Sequence, residues 1–308
     1  MRYWRHYPKF LQTILLMLLI FTLASFSFVI ANFGINKIYG VTMEAIGGVG
    51  PNSSSRLIAA TQFLQGITSL FTFLLSALLF AYLCHPKPTE YLGLQKVRDA
   101  RFLIWVLPLM VFVVPLFAQI GEWMQLIDFG AGAKSSFEDQ QKMMKALMSG
   151  TSIGSLLLYL LVFAVLPALG EEFLFRGIVM RFAYNNTRNF HFAILFSAAI
   201  FGLAHGTVYN FLPIMLAGVL LGYIYYFSGS LWPSIVAHFL NNAMAIVLLF
   251  LSNKGIVSKE LGEAEGLPWL FLLFALSGFL LIFFLLRKNA TPLPSDWNDD
   301  FRGERLTH

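Results

Sequence analysis

Eight runs of mostly apolar residues, at about 10–33, 57–84, 102–126, 152–183, 190–207, 211–228, 230–252 and 267–286, divide this chain of 308 residues. A helix crosses the hydrocarbon core of a bilayer with about 20 such residues. The expectation is an all-α polytopic bundle of about eight membrane helices, the fifth and sixth being short. Only 12% of the residues are charged and 57% are hydrophobic, where a soluble domain carries about 25% charge.

Composition also narrows the function classes. The net charge of +5 reports membrane orientation before it reports a nucleic-acid partner. With the N-terminus inside, the segments on its side hold two thirds of the 21 Lys and Arg, so both termini are expected in the cytoplasm. The single cysteine, Cys84, rules out an intrachain disulfide framework. Residues 1–150 read as N-terminal membrane helices with an outer interfacial helix. In that helix Ser135-Ser136-Phe137-Glu138 matches a capping box and Phe137, Met144, Leu147 and Met148 recur at helical spacing. Residues 151–252 form the polar-bearing core, 253–288 the last membrane helix and 289–308 a disordered cytoplasmic tail.

Against that apolar background, three ionisable residues within six positions stand out: Glu171, Glu172 and Arg176. Each charge at the centre of a membrane helix costs about 2.5–3.5 kcal/mol on insertion scales, and such residues face a bundle interior or wet cavity. Glu172 and Arg176 are at i and i+4 in the favoured acid-before-base order, which predicts an intrahelical ion pair. Glu171 is then the carboxylate without a local partner. Glu171 and His205 are 34 residues apart, with Arg188 midway in the polar turn Asn185–Asn189. Both sit about 25 Å from the tip of a helical hairpin, at one depth on facing helices. His238 and Asn242 share one face of a later helix at i and i+4, while Asn241 points about 100° away.

These groups make up a hydrolytic set. A carboxylate and an imidazole at one depth can hold a water between them, the carboxylate taking its proton. A second His and an amide can donate to a developing oxyanion. That is water attack on a peptide or ester carbonyl, with no Ser or Cys nucleophile. The same polar groups also suit an ion-coupled transporter or a non-catalytic membrane scaffold.

At these positions the sequence resembles the CPBP family, the CAAX-protease and bacteriocin-processing membrane proteins. The family's E-E-x-x-x-R, F-x-x-x-H and H-x-x-x-N patterns read here as Glu171 to Arg176, Phe201 to His205 and His238 to Asn242. The resemblance covers about residues 152–250. It implies an intramembrane endopeptidase of a bacterial cell membrane acting on a peptide or membrane-protein segment. Glu171 and His205 would activate water, His238 and Asn242 would stabilise the oxyanion, and Glu172 and Arg176 would support the site. No cofactor is expected; the alternative is Zn²⁺ on Glu171, His205 and His238, a set that leaves an open position.

Overall fold

The computed structural model describes residues 3–259, 266–295 and 297. They form helices joined by turns, with no strand among the described residues. Nine helices carry the architecture. They are α1 (Lys9–Tyr39), α2 (Ser55–Cys84), α3 (Phe102–Gln125), α4 (Ala131–Leu147), α5 (Ile153–Thr187), α6 (Phe190–Leu203), α7 (Val208–Ser228), α8 (Trp232–Asn253) and α9 (Trp269–Lys288). Seven of these are long and apolar enough to cross a membrane. α6 is apolar but has 14 residues, so it extends about 21 Å, short of a bilayer core of about 30 Å. The expected fifth span at 190–207 is therefore a shorter helix, ended by a turn at Gly206 with φ of 79°.

The helices run alternately up and down, so each end of the bundle gathers recognisable chain segments. One end holds the N-terminus, the α5–α6 turn, the α7–α8 turn and the residues after α9. The expected hairpin between α5 and α6 is present. Arg188 closes α5 in the left-handed conformation, φ 54°. Asn189 starts α6 by accepting a hydrogen bond from the Phe192 amide, as an N-cap should.

The far end is covered by α4. This helix starts at Ala131, directly after Gly130 with φ of 92°. Ser135 and Ser136 therefore lie inside it, and the capping box read from the sequence is not used. Its amphipathic pattern is kept: Phe137 and Leu147 are buried, while Lys134, Glu138 and Lys142 are exposed. α4 packs on the bundle through hydrogen bonds from Gln62 Nε2 to Leu147 O at 2.6 Å and from Asn210 Nδ2 to Gln140 Oε1 at 3.1 Å.

The described part of the expected disordered tail is docked. The Thr291 and Leu293 amides donate to Phe227 O and Tyr226 O at 2.8 and 2.9 Å. Trp297 is buried with its ring 4.2 Å from the Arg181 guanidinium. Arg181 is itself buried and donates to the carbonyls of Tyr91 and Trp297. The apolar Leu293 and Trp297 anchor a polar segment that composition alone makes look unstructured. Residues 296 and 298–308 lie outside the described set.

Close helix contacts position the polar core. A Cβ added at Gly170 would stand 2.9 Å from the Leu74 amide nitrogen of α2. One added at Gly218 of α7 would stand 3.1 Å from the Ala198 Cα of α6. Small residues at such crossings let membrane helices approach backbone to backbone. Gly170→Ala is expected to cost about 1–3 kcal/mol by overpacking, since backbone cannot swing aside. The readout is a lower unfolding temperature of the purified protein in detergent, with Gly121→Ala, where a Cβ meets open space, as the unchanged control.

Candidate active site

The polar residues of α5 lie where its hydrogen bonding is irregular. Turns of π-helix occupy Leu161–Val165 and Phe173–Val179, on either side of Glu171 and Glu172. Such widened turns recur at functional sites, and here they set which way the intervening side chains point.

Glu172 is the fully buried centre of the constellation. It forms the expected ion pair with Arg176. Its other contacts come from α8. The Ser234 hydroxyl lies 2.6 Å from Oε2 and His238 Nδ1 lies 2.9 Å from Oε1. Ser234 also lies 2.9 Å from Leu221 O, and its single hydrogen serves one of the two acceptors. Arg176 is buried as well. It donates from Nη2 to Gly218 O at 3.0 Å and covers the Phe201 ring at 4.7 Å. The pair thus ties α5 to α6, α7 and α8 at once.

His238 is positioned differently from the expectation that paired it with Asn242 alone. It bridges the two glutamates, with Nδ1 on Glu172 and Nε2 3.7 Å from Glu171 Oε2. A carboxylate only accepts, so Nδ1 carries the hydrogen. The second nitrogen is aimed at Glu171. That carboxylate therefore has a neighbour that the spacing along α5 did not suggest. Its side chain is 13% exposed, against none for Glu172, and the exposed part faces a cavity.

That cavity, about 590 Å³, is lined by Glu171, His205, His238 and Asn242 together. Four candidate residues from two helices and a turn thus meet at one space. Glu172 and Arg176 lie behind them. His205 sits in the turn just beyond α6 rather than on it. Its Nδ1 is 2.8 Å from Phe201 O. A carbonyl only accepts, so Nδ1 is the protonated nitrogen and the neutral ring keeps a lone pair on Nε2. Phe201 touches both imidazoles edge to face, at 4.8 Å from His205 and 5.8 Å from His238.

Asn242 donates from Nδ2 to Phe163 O at 3.2 Å and accepts from Asn241 Nδ2 at 3.1 Å. One Nδ2 hydrogen remains for another acceptor. Asn241, separated from Asn242 by its angle on the helix, lines the same cavity and braces its neighbour. Ser234, the Phe163 carbonyl and the Gly218 carbonyl were not found from sequence. Ser234 carried a signal, being one turn before His238 on the same face; the carbonyls carried none. For the Zn²⁺ alternative the fit is poor: among the described residues no three His, Cys, Asp or Glu side chains converge as a metal-ligand set.

The site falls in the stretch shared with known proteins. Residues 153–244 match the family described as type II CAAX prenyl endopeptidase Rce1-like. The Bacillus subtilis (strain 168) protein titled "Putative membrane peptidase YdiL" is 26% identical over 186 residues, spanning 60% of this chain and 72% of that one. No solved structure matches the chain. With its ordered E-E-x-x-x-R, F-x-x-x-H and H-x-x-x-N motifs set around one cavity inside an apolar bundle, this integral membrane protein is similar over residues 153–244 to the CPBP family of CAAX-protease-like proteins.

Proposed function

We propose that the protein is an intramembrane endopeptidase that hydrolyses a peptide bond with water activated by Glu171 and His205. The observation that carries this reading is the shared cavity: a carboxylate, a lone-pair imidazole nitrogen and an amide hydrogen all border one space. A water held between Glu171 and His205 Nε2 loses a proton to Glu171 as its oxygen bonds to the scissile carbonyl carbon. Negative charge then develops on the carbonyl oxygen. The free Nδ2 hydrogen of Asn242 is pre-aimed to receive it, because Phe163 and Asn241 fix that amide. With its Nδ1 hydrogen held by Glu172, His238 donates to the oxyanion only when Nε2 also carries a hydrogen, and Glu172 is then its counterion, since Glu171 has taken the water's proton. Preorganised donors of this kind are worth about 2.7–4 kcal/mol each. Collapse breaks the C–N bond as Glu171 returns its proton to the leaving amine.

The printed title of the Bacillus subtilis relative, a membrane peptidase, supports the same reaction class. The Lys and Arg asymmetry supports both termini in the cytoplasm, and the Bacillus subtilis origin of the relative supports a bacterial cell membrane. The cavity, bordered by α4 and the turn at His205, then lies toward the opposite side.

The test is hydrolysis of apolar peptides by the purified protein in lipid nanodiscs, followed by mass spectrometry. Expected are discrete internal cuts that persist in excess EDTA or 1,10-phenanthroline and disappear in His205→Ala. Absence of cutting would sink the peptidase reading. Loss of cutting with chelator and its return with Zn²⁺ would replace the metal-free mechanism.

A further inference from the structure

The catalytic helices do not close the cavity alone. Its far wall is α4, which lies before the matched family region of residues 153–244. Met143, Met144 and Met148 line the space from that side, together with Gln140 and Gln141. The opposite face of α4 exposes Lys134, Glu138, Lys142 and Lys145, so the helix presents thioethers inward and charge outward. It is fixed at both ends. Phe137 packs against Tyr209 with ring centroids 5.1 Å apart, and Asn253 Nδ2 donates to Met148 O at 2.9 Å, beside the contacts of Gln62 and Asn210 already described.

The lining has a definite chemistry. Methionine side chains are unbranched and polarizable, and they adapt to apolar groups of varied shape. Side-chain amides, here Gln65, Gln141 and Asn241, offer both donors and acceptors, which matches the alternating N–H and C=O of an extended peptide backbone. The carboxylate on the cavity wall is Glu171. A substrate carboxylate near the reacting bond would stand beside it in a low-dielectric space, where like charges repel strongly. A substrate ammonium would pair with it and occupy the base.

We propose that the cavity takes a neutral, apolar stretch of peptide in extended form, and that α4 sets the preference through Met143, Met144 and Met148. The hydrolytic step rests on the peptidase reading above; the recognition step does not. Substrate choice is thereby assigned to a helix outside the region matched to the family.

Photo-crosslinking tests recognition directly. p-Benzoylphenylalanine is placed at Met144, at Met148 or at the outward Lys142, each in His205→Ala protein in lipid nanodiscs so that bound peptide is not consumed. The probes are a fluorescent octapeptide of Leu, Val and Ala, acetylated and amidated at its ends, and the same peptide with Asp at its centre. Labelling by the neutral peptide is expected from positions 144 and 148, at least 10-fold weaker for the Asp peptide and at background from 142. Equal labelling by both peptides, equal labelling from 142, or none by the neutral peptide in folded protein would overturn the proposal. Wild-type protein given the neutral peptide separates the two ideas. A peptide that is labelled but uncut defeats the hydrolytic reading and leaves the wall standing; one that is cut but unlabelled does the reverse.

Discussion

Glu171→Gln is expected to slow peptide cleavage by about 10²–10⁴-fold, the usual contribution of a positioned general base, without loss of folded protein. Gln keeps the shape and the hydrogen-bonding reach but cannot take the water's proton. The structural cost is small because Glu171 makes no tight ion pair. Its neighbour is His238 Nε2 at 3.7 Å, and its side chain opens on the cavity. Removing an incompletely paired charge from an apolar bundle leaves thermal stability unchanged or raises it. Activity and stability therefore move independently, which separates a catalytic carboxylate from a structural one. The measurement is turnover by mass spectrometry beside the unfolding temperature of the same preparation. Cleavage within about tenfold of wild type would remove Glu171 from the general-base role.

What sequence could disclose about this site follows from what is local. The apolar runs, the turn at Arg188 and the Glu172–Arg176 pair depend on composition or on i, i+4 spacing, and the structure contains each of them. Pairing Glu171 with His205 by counting from the hairpin tip brought both to one cavity, but the charge partner nearest Glu171 is His238 from α8. That contact depends on how α8 is rotated against α5, which no spacing within either helix encodes. α4 was legible as amphipathic, yet its inward face meets the cavity rather than lipid alone, because the Gln62 and Asn210 hydrogen bonds join residues far apart in the chain. The docked Trp297 has the same origin: its partners Arg181, Tyr184 and Tyr225 come from α5 and α7.

Glu172→Leu is expected to be the most destabilising single change in the site, and more so than Arg176→Leu. Both residues are buried, and breaking a buried pair from one side costs about 3–5 kcal/mol. The two losses are not equivalent. Without Arg176, the Glu172 carboxylate still has the Ser234 hydroxyl and His238 Nδ1. Without Glu172, the guanidinium keeps the Gly218 carbonyl, the Phe201 face and the more distant charge of Glu171, and it cannot shed its proton. Glu172→Leu with Arg176→Leu removes both charges and should recover most of the lost stability, since apolar replacements of buried pairs are often neutral or better. Activity should not return with it. His238 would lose the acceptor that holds its Nδ1 hydrogen and directs Nε2 toward Glu171. Unfolding temperatures for the two single variants and the double one, compared as a cycle, test the stability half. Cleavage by the stable double variant tests the other: near wild-type turnover would mean that the pair is a packing element and that His238 needs no partner to work.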